Sequence, residues 1–136
     1  MYYTSTMENT KYSGKFIKVT EQEIDGAIWE RVYLKDGVII FPITDDGKVI
    51  MIEEKRPHEK NPIRLKFVTG QIDNDDDPIL TANRELQEEI GKKAKTIEIL
   101  LKKETTGTVN SKLYQLIALN LIDSKLPNPD GEDTIV

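Results

Sequence analysis

Short apolar runs separated by turn-forming residues fill most of the chain, and only one stretch carries a helical period. "KFIKV" (15–19) and "AIWERVYLK" (27–35) read as strands, the second with partial alternation. Asp36-Gly37 is a hairpin signal, and "VIIFPI" (38–43) is the continuous apolar run of a buried strand. Asp45-Asp46-Gly47 turns the chain toward "KVIMI" (48–52), its expected partner strand. "EEKRPHEKNP" (53–62) reads as a charged loop, and "IRLKFV" (63–68) as a short strand ending at Thr69-Gly70. "KTIEILLKK" (95–103) and "KLYQLIALNL" (112–121) are further strands, followed by a loop, "SKLPNPDGED" (124–133). Residues 1–14 are polar and aperiodic, which predicts a flexible segment ahead of one domain spanning 15–136. The chain closes on "TIV", which reads as a strand beginning: either a C-terminal element is missing or the chain ends there.

The helical stretch lies in the middle. Asp77 followed by Pro78 suits an N-cap and first helical position, and Asp75 to Asp77 place negative charge where a helix dipole favours it. Gly91 suits the position just past the helix end, so the helix is predicted over 78–90. At about 100° per residue, Ile79, Ala82, Leu86 and Ile90 form one apolar stripe. Glu85, Glu88 and Glu89 form a second face, roughly 110° around from the first. Glu85 and Glu89 repel at i, i+4 by ~0.2–0.5 kcal/mol, and Arg84 attracts Glu88 by a similar amount. Many strands and one strong helix predict an α+β or mixed α/β fold.

Composition narrows the chemistry. The net charge of -5 argues against a general nucleic-acid surface and implies that an anionic ligand would need cations to hold it. Without cysteine there are no disulfides or thiolate metal sites, and a single histidine, His58, leaves no zinc site of several imidazoles. No apolar run approaches the roughly 18 residues of a membrane span, and the N-terminus lacks an apolar signal core, so a cytoplasmic location is expected. Clustered glutamate oxygens on a rigid element could hold a hard divalent cation. The same octet, "RELQEEIG" (84–91), would equally serve as a solvated helix face, so the surrounding spacing has to decide.

From Gly70 the chain reads "GQIDNDDDPILTANRELQEEIGK". This resembles the signature of the Nudix hydrolases, G-x5-E-x7-R-E-u-x-E-E-x-G-u, where u is a bulky aliphatic. Gly70, Arg84, Glu85, Leu86, Glu88, Glu89 and Gly91 match, whereas Asp76 replaces a glutamate and Lys92 an aliphatic. The flanking "PITDDGKVIMIEEKRP", "LKFVTGQID" and "GTVNSKLYQLIALNL" resemble the ADP-ribose and nucleotide-sugar pyrophosphatase branch. Glu54-Lys55-Arg56 stands where that branch has Gln-x-Arg, and Lys66-Phe67-Val68-Thr69-Gly70 where it has Glu-Leu-Pro-Ala-Gly.

The resemblance implies an α/β/α sandwich around a mixed β-sheet, with a strand-loop-helix motif. It implies hydrolysis of the diphosphate in a nucleoside diphosphate derivative, ADP-ribose or a nucleotide sugar first, with Mg2+ as cofactor and Mn2+ as substitute. Glu85, Glu88 and Glu89 would hold the metal with a carbonyl near Gly70, and Arg84 would brace the carboxylates through Glu88 or Asp76. Glu132, with Asp133 second, would be a late-loop base, and Arg56 a phosphate contact, since guanidinium binds phosphate in a bidentate way. Lys92 fits an aliphatic slot if its stem packs and its ammonium reaches water. His58 reads as an exposed loop residue, and Trp29 and Tyr33 as packing residues ahead of base stacking. A homodimer paired through the early strands is the expected assembly.

Three other readings were weighed. "DNDDD" (73–77) opens like a calcium-binding loop, but its sixth and twelfth positions are Pro78 and Arg84, not glycine and glutamate. A nucleoside triphosphate or dinucleoside polyphosphate would use the same chemistry. A non-catalytic binding module would account for Lys66 and Thr69 at the motif entrance, but not for retaining three mutually repelling glutamates.

Overall fold

The computed structural model describes residues 4–128 and 134–135, which fold as two compact units. One holds the chain up to Asp36 together with Lys103–Lys112. The other holds Gly37–Lys102 and the chain from Leu113 onward.

In the first unit, β1 (Asn9–Ser13), β2 (Ile17–Ile24) and β3 (Ala27–Leu34) form an antiparallel meander. The segment expected to be flexible therefore contains a strand. Polar residues suffice for β1 because its backbone groups pair with β2 while its side chains stay in water. The β2–β3 hairpin turns on Asp25 and Gly26, with φ of 51° and 80° and Ile24 opposite Ala27. Two positive φ angles match the twist of the flanking strands, which is why aspartate then glycine works there. Asp36-Gly37 does not repeat this: neither residue has positive φ, and Gly37 opens the next strand.

In the second unit, β4 (Gly37–Pro42) lies between β7 (Val68–Gln71), antiparallel, and β9 (Val109–Asp123), parallel, so this sheet is mixed. β8 (Lys92–Thr105) pairs with β9. A second, three-stranded sheet runs β10 (Thr134–Ile135), β5 (Ile52–Lys55), β6 (Ile63–Lys66). The strand predicted at 48–52 shrinks to one bridge, Ile43 to Val49, and its last residue, Ile52, instead opens β5, which runs on into the stretch expected to be loop. "TIV" does begin a strand, with Thr134 opposite Glu53.

α1 (Pro78–Glu89) is the single helix among the described residues, and the fold is α+β with one helical layer. Asp77 caps it as expected: its Oδ1 accepts a hydrogen bond from the Ile79 N–H at 2.7 Å. Gly91 follows the end with φ of 68°. Ala82, Leu86 and Ile90 pack with Val38, Ile40, Ile52, Val68 and Leu116 in the core. Ile79 does not join them and is 36% exposed. It lies in the first turn, and the buried face is turned toward Thr81 and Glu85, which join Ala82 and Leu86 as the buried residues of the helix. Asp77→Ala removes the cap and should cost about 1 kcal/mol of stability, read as a lower urea midpoint at unchanged slope.

Candidate active site

The site is built where β7 passes under α1. Asn74 and Asp75 both take positive φ, 50° and 59°, in the turn that brings the chain from the strand back over itself as a helix. Asp76 N–H donates to the Asp73 carbonyl at 2.9 Å and closes that turn. The helix then lays Glu85 on the strand. Glu85 is only 8% exposed, a rare environment for a carboxylate. A Cβ placed on Gly70 would overlap the Glu85 side chain, lying 2.6 Å from its Oε1 and nearer still to Cγ and Cδ. Gly70 has ordinary backbone angles, so only the absence of a side chain explains its place. The strand offers a flat floor, and the carboxyl lies on it.

Arg84 lies beside the acids. Its Nη2 is 3.5 Å from Glu85 Oε1 and 3.7 Å from Asp73 Oδ2, and its Nε is 3.9 Å from Glu88 Oε1. These separations are ion-pair contacts, longer than charge-assisted hydrogen bonds. The Gln71 carbonyl also accepts from Arg84 Nη2, at 3.5 Å. Arg84 therefore meets Glu88, as expected, but Asp73 rather than Asp76 is the aspartate paired with it among the described residues. The turn itself explains the exchange, since Asp76 faces Asp73 through its backbone.

Glu89 Oε2 is buried away from water, and the Glu88 side chain is 16% exposed. The helix thus brings Glu85, Glu88 and Glu89 to one side with Gly70 under the first. Among the described residues, however, no three acidic or histidine side chains are gathered as a ready metal cage. Arg84 draws Glu85 and Glu88 toward itself.

Arg56 is held more firmly. Its Nη1 donates to Glu54 Oε1 at 2.7 Å and its Nε to Glu59 Oε1 at 2.6 Å. Burial pushes the Glu54 carboxyl up, but hydrogen bonds from Arg56 and Lys66 outweigh it and hold the group below its usual value. Sequence reasoning singles out Arg56 but not its partners Glu54 and Glu59, nor Arg64, which joins them through Glu59 Oε2. The spacing carried a signal, because residues two apart share a strand face. His58 is exposed, as expected, and Lys92 reaches out to Asp123 at 2.5 Å. Trp29 is not a packing residue: it is 54% exposed, in a unit that contributes no member to the apolar core. Tyr33 donates its hydroxyl to Glu8 and lies 4.8 Å from the Lys18 ammonium. Glu132 and Asp133 fall outside the described residues.

Gly70→Ala should lower the unfolding free energy by about 1–3 kcal/mol through overpacking. Glu85→Ala in the same chain should restore most of that loss, because it removes the colliding carboxyl; urea unfolding of the single and double variants measures both.

Comparison with known proteins extends the likeness well beyond this helix. The NUDIX domain family profile matches residues 33–134. A methanol dehydrogenase activator of Bacillus methanolicus is 28% identical over 129 residues, covering 90% of this chain and 68% of that protein. An ADP-ribose pyrophosphatase of Bacillus subtilis (strain 168) is 30% identical over 92 residues, covering 63% of this chain and 49% of that protein. A crystal structure of an ADP compounds hydrolase superposes with a TM-score of 0.81 at 25% identity, covering all of this chain and 77% of the other. A match that begins at the end of β3 and reaches β10 takes in β4 to β9 as well as the helix, and on that breadth the chain belongs to the NUDIX domain family.

Proposed function

We propose that this chain hydrolyses the diphosphate of a nucleoside diphosphate derivative in a reaction dependent on a divalent metal, with ADP-ribose the first candidate and nucleotide sugars next. The observation that carries this reading is the Glu85 carboxyl lying on the bare backbone of Gly70. A surface helix has no reason to bury a carboxylate against a strand unless its oxygens are wanted there.

Glu85, Glu88, Glu89 and the Gly70 carbonyl would hold the ion. All four offer oxygen, the donor that magnesium and manganese prefer, and Gly70 leaves the space that the carboxyl needs. When bound, the ion would neutralise phosphate charge and lower the pKa of a water. Arg84 orients the carboxylates through its contacts with Glu85 and Glu88. Arg56 contacts the diphosphate, and Glu132 serves as base on the late loop. Magnesium is the proposed ion, with manganese as its substitute, and a small nucleotide is the proposed substrate. No helix among the described residues is long and apolar enough to cross a membrane.

The test is a substrate panel. With magnesium, the purified protein should release nucleoside monophosphate from ADP-ribose faster than from UDP-glucose, GDP-mannose, ATP or Ap4A. Glu89→Gln should cut the rate by about a hundredfold or more at nearly unchanged stability. Release from ATP alone would move the substrate class, and silence with both metals would leave a binding module.

We also propose a homodimer paired through β1–β3. Ile28 and Trp29 on β3, and Phe16 in the turn between β1 and β2, are exposed large apolar side chains in a unit that supplies none of the apolar core, which is how an interaction surface looks in isolation. Light scattering should give twice the chain mass, and Trp29→Asp should shift the protein toward monomer.

A further inference from the structure

A chain of alternating charges crosses β5 and β6, and Arg56 is its middle member. Lys66 pairs with Glu54 Oε2, and Glu54 Oε1 accepts from Arg56 at 2.7 Å. Glu59 Oε1 accepts from Arg56 at 2.6 Å, and Glu59 Oε2 accepts from Arg64 at 2.5 Å. The ladder brings them together, since Glu54 lies opposite Arg64 and Ile52 opposite Lys66. The inner end is the more buried, with the Glu54 and Lys66 side chains 16% and 17% exposed. Lys66 also donates to Thr69 Oγ1 at 2.8 Å, one residue before Gly70. A continuous line of bonds therefore joins Arg56 to the strand on which Glu85 lies.

The order of the charges matters. Glu54 and Glu59 take one N–H from Nη1 and the N–H of Nε, and the guanidinium keeps further donors at Nη1 and Nη2. Two carboxylates acting alone would fix its direction but cancel its charge for an anion. Here each is shared with a second cation, Lys66 on one side and Arg64 on the other. Three cations and two carboxylates leave one net positive charge, centred on an arginine whose orientation is fixed. That arrangement is suited to a diphosphate, which needs both a planar donor pair and net positive potential.

We propose that Glu54, held by Lys66, is a positioning residue for the substrate diphosphate: it aims Arg56, while Lys66 keeps the aimed group cationic. The inference rests on the proposed role of Arg56 in binding nucleotide. It assigns a joint task to Glu54 and Lys66, the two positions where this chain departs from the Gln and Glu of the family branch that it resembles.

The test is a cycle of kcat/KM values with ADP-ribose and magnesium for the wild type, Glu54→Leu, Arg56→Ala and the double variant. Glu54→Leu should lower kcat/KM by about 10- to 100-fold, mainly through KM, the range expected for one charge-assisted bond. The double variant should be no worse than Arg56→Ala alone, because Glu54 acts through that arginine. Glu54→Gln retains an acceptor oxygen and should recover most of the activity with the fold intact. Lys66→Met should raise KM and leave kcat nearly unchanged. Losses that multiply in the double variant, or an Arg56→Ala enzyme as efficient as the wild type, would overturn the inference and leave the proposed activity standing. A wild type inert toward every nucleotide in the panel would overturn both.

Discussion

The contact on which the site depends is between a carboxylate and a backbone with no side chain. Glu85 can lie on β7 only because residue 70 is glycine, and it stays there because α1 is anchored through Ala82, Leu86 and Ile90 in the core. Burying a carboxylate costs several kcal/mol unless charge or hydrogen bonds answer it. Arg84 beside it gives part of that answer. The proposed divalent cation would give more of it, and the burial, more than the small mutual repulsions, sets this helix apart from a solvated face.

Electrostatics raises a second problem, since the chain carries a net charge of -5 and the proposed substrate is an anion. Two devices would offset the mismatch. One is the proposed metal, which would reverse the sign of the glutamate face when bound. The other is the chain from Lys66 to Arg64, which carries positive charge on β5 and β6 with its carboxylates used as braces. The first would serve the reacting phosphorus, and the second orientation. The glutamates lie on α1, whereas the braces Glu54 and Glu59 lie on β5 and in the turn after it, so the two sets of carboxylates face different cations.

How much of this was legible in the sequence depends on the range of each interaction. The helix was readable because its signals are local: Asp77 and Pro78 at the start, Gly91 at the end, an apolar stripe between. The glutamates were readable as a set because their spacing is fixed on one helix. The hairpin is hard to place from sequence because four Asp-Gly pairs exist, at 25–26, 36–37, 46–47 and 130–131, and Asp25-Gly26 is the one that joins two paired eight-residue strands. Asp36-Gly37 is spent on register, with Gly37 opposite Gln71 and a Cβ there only 3.2 Å from the Gly70 carbonyl oxygen. The contact of Arg84 with Glu88 is legible from their i, i+4 spacing, whereas its contact with Asp73 in place of Asp76 depends on two positive φ angles in the turn. No propensity encodes that choice. The Arg56 partners depend on the pairing of β5 with β6, and the sequence reading had put β5 in a loop.

The two units invert the usual division between core and surface. In the second, apolar side chains meet one another and polar groups serve the site. In the first, the bonds among side chains are polar: Glu8 accepts from Thr20 at 2.5 Å and from Tyr33, and Arg31 donates to Gln22 at 2.8 Å. Its large apolar groups face outward. Hydrogen bonds from Thr20 and Tyr33 and the nearby Arg31 charge hold the Glu8 carboxyl below its usual value, so it stays ionised and anchors β1 to β2 and β3. A small sheet stabilised this way leaves its apolar area unspent. That area is held in place by the strands and is too apolar to suit water, which supports the proposed pairing with a second copy of the chain.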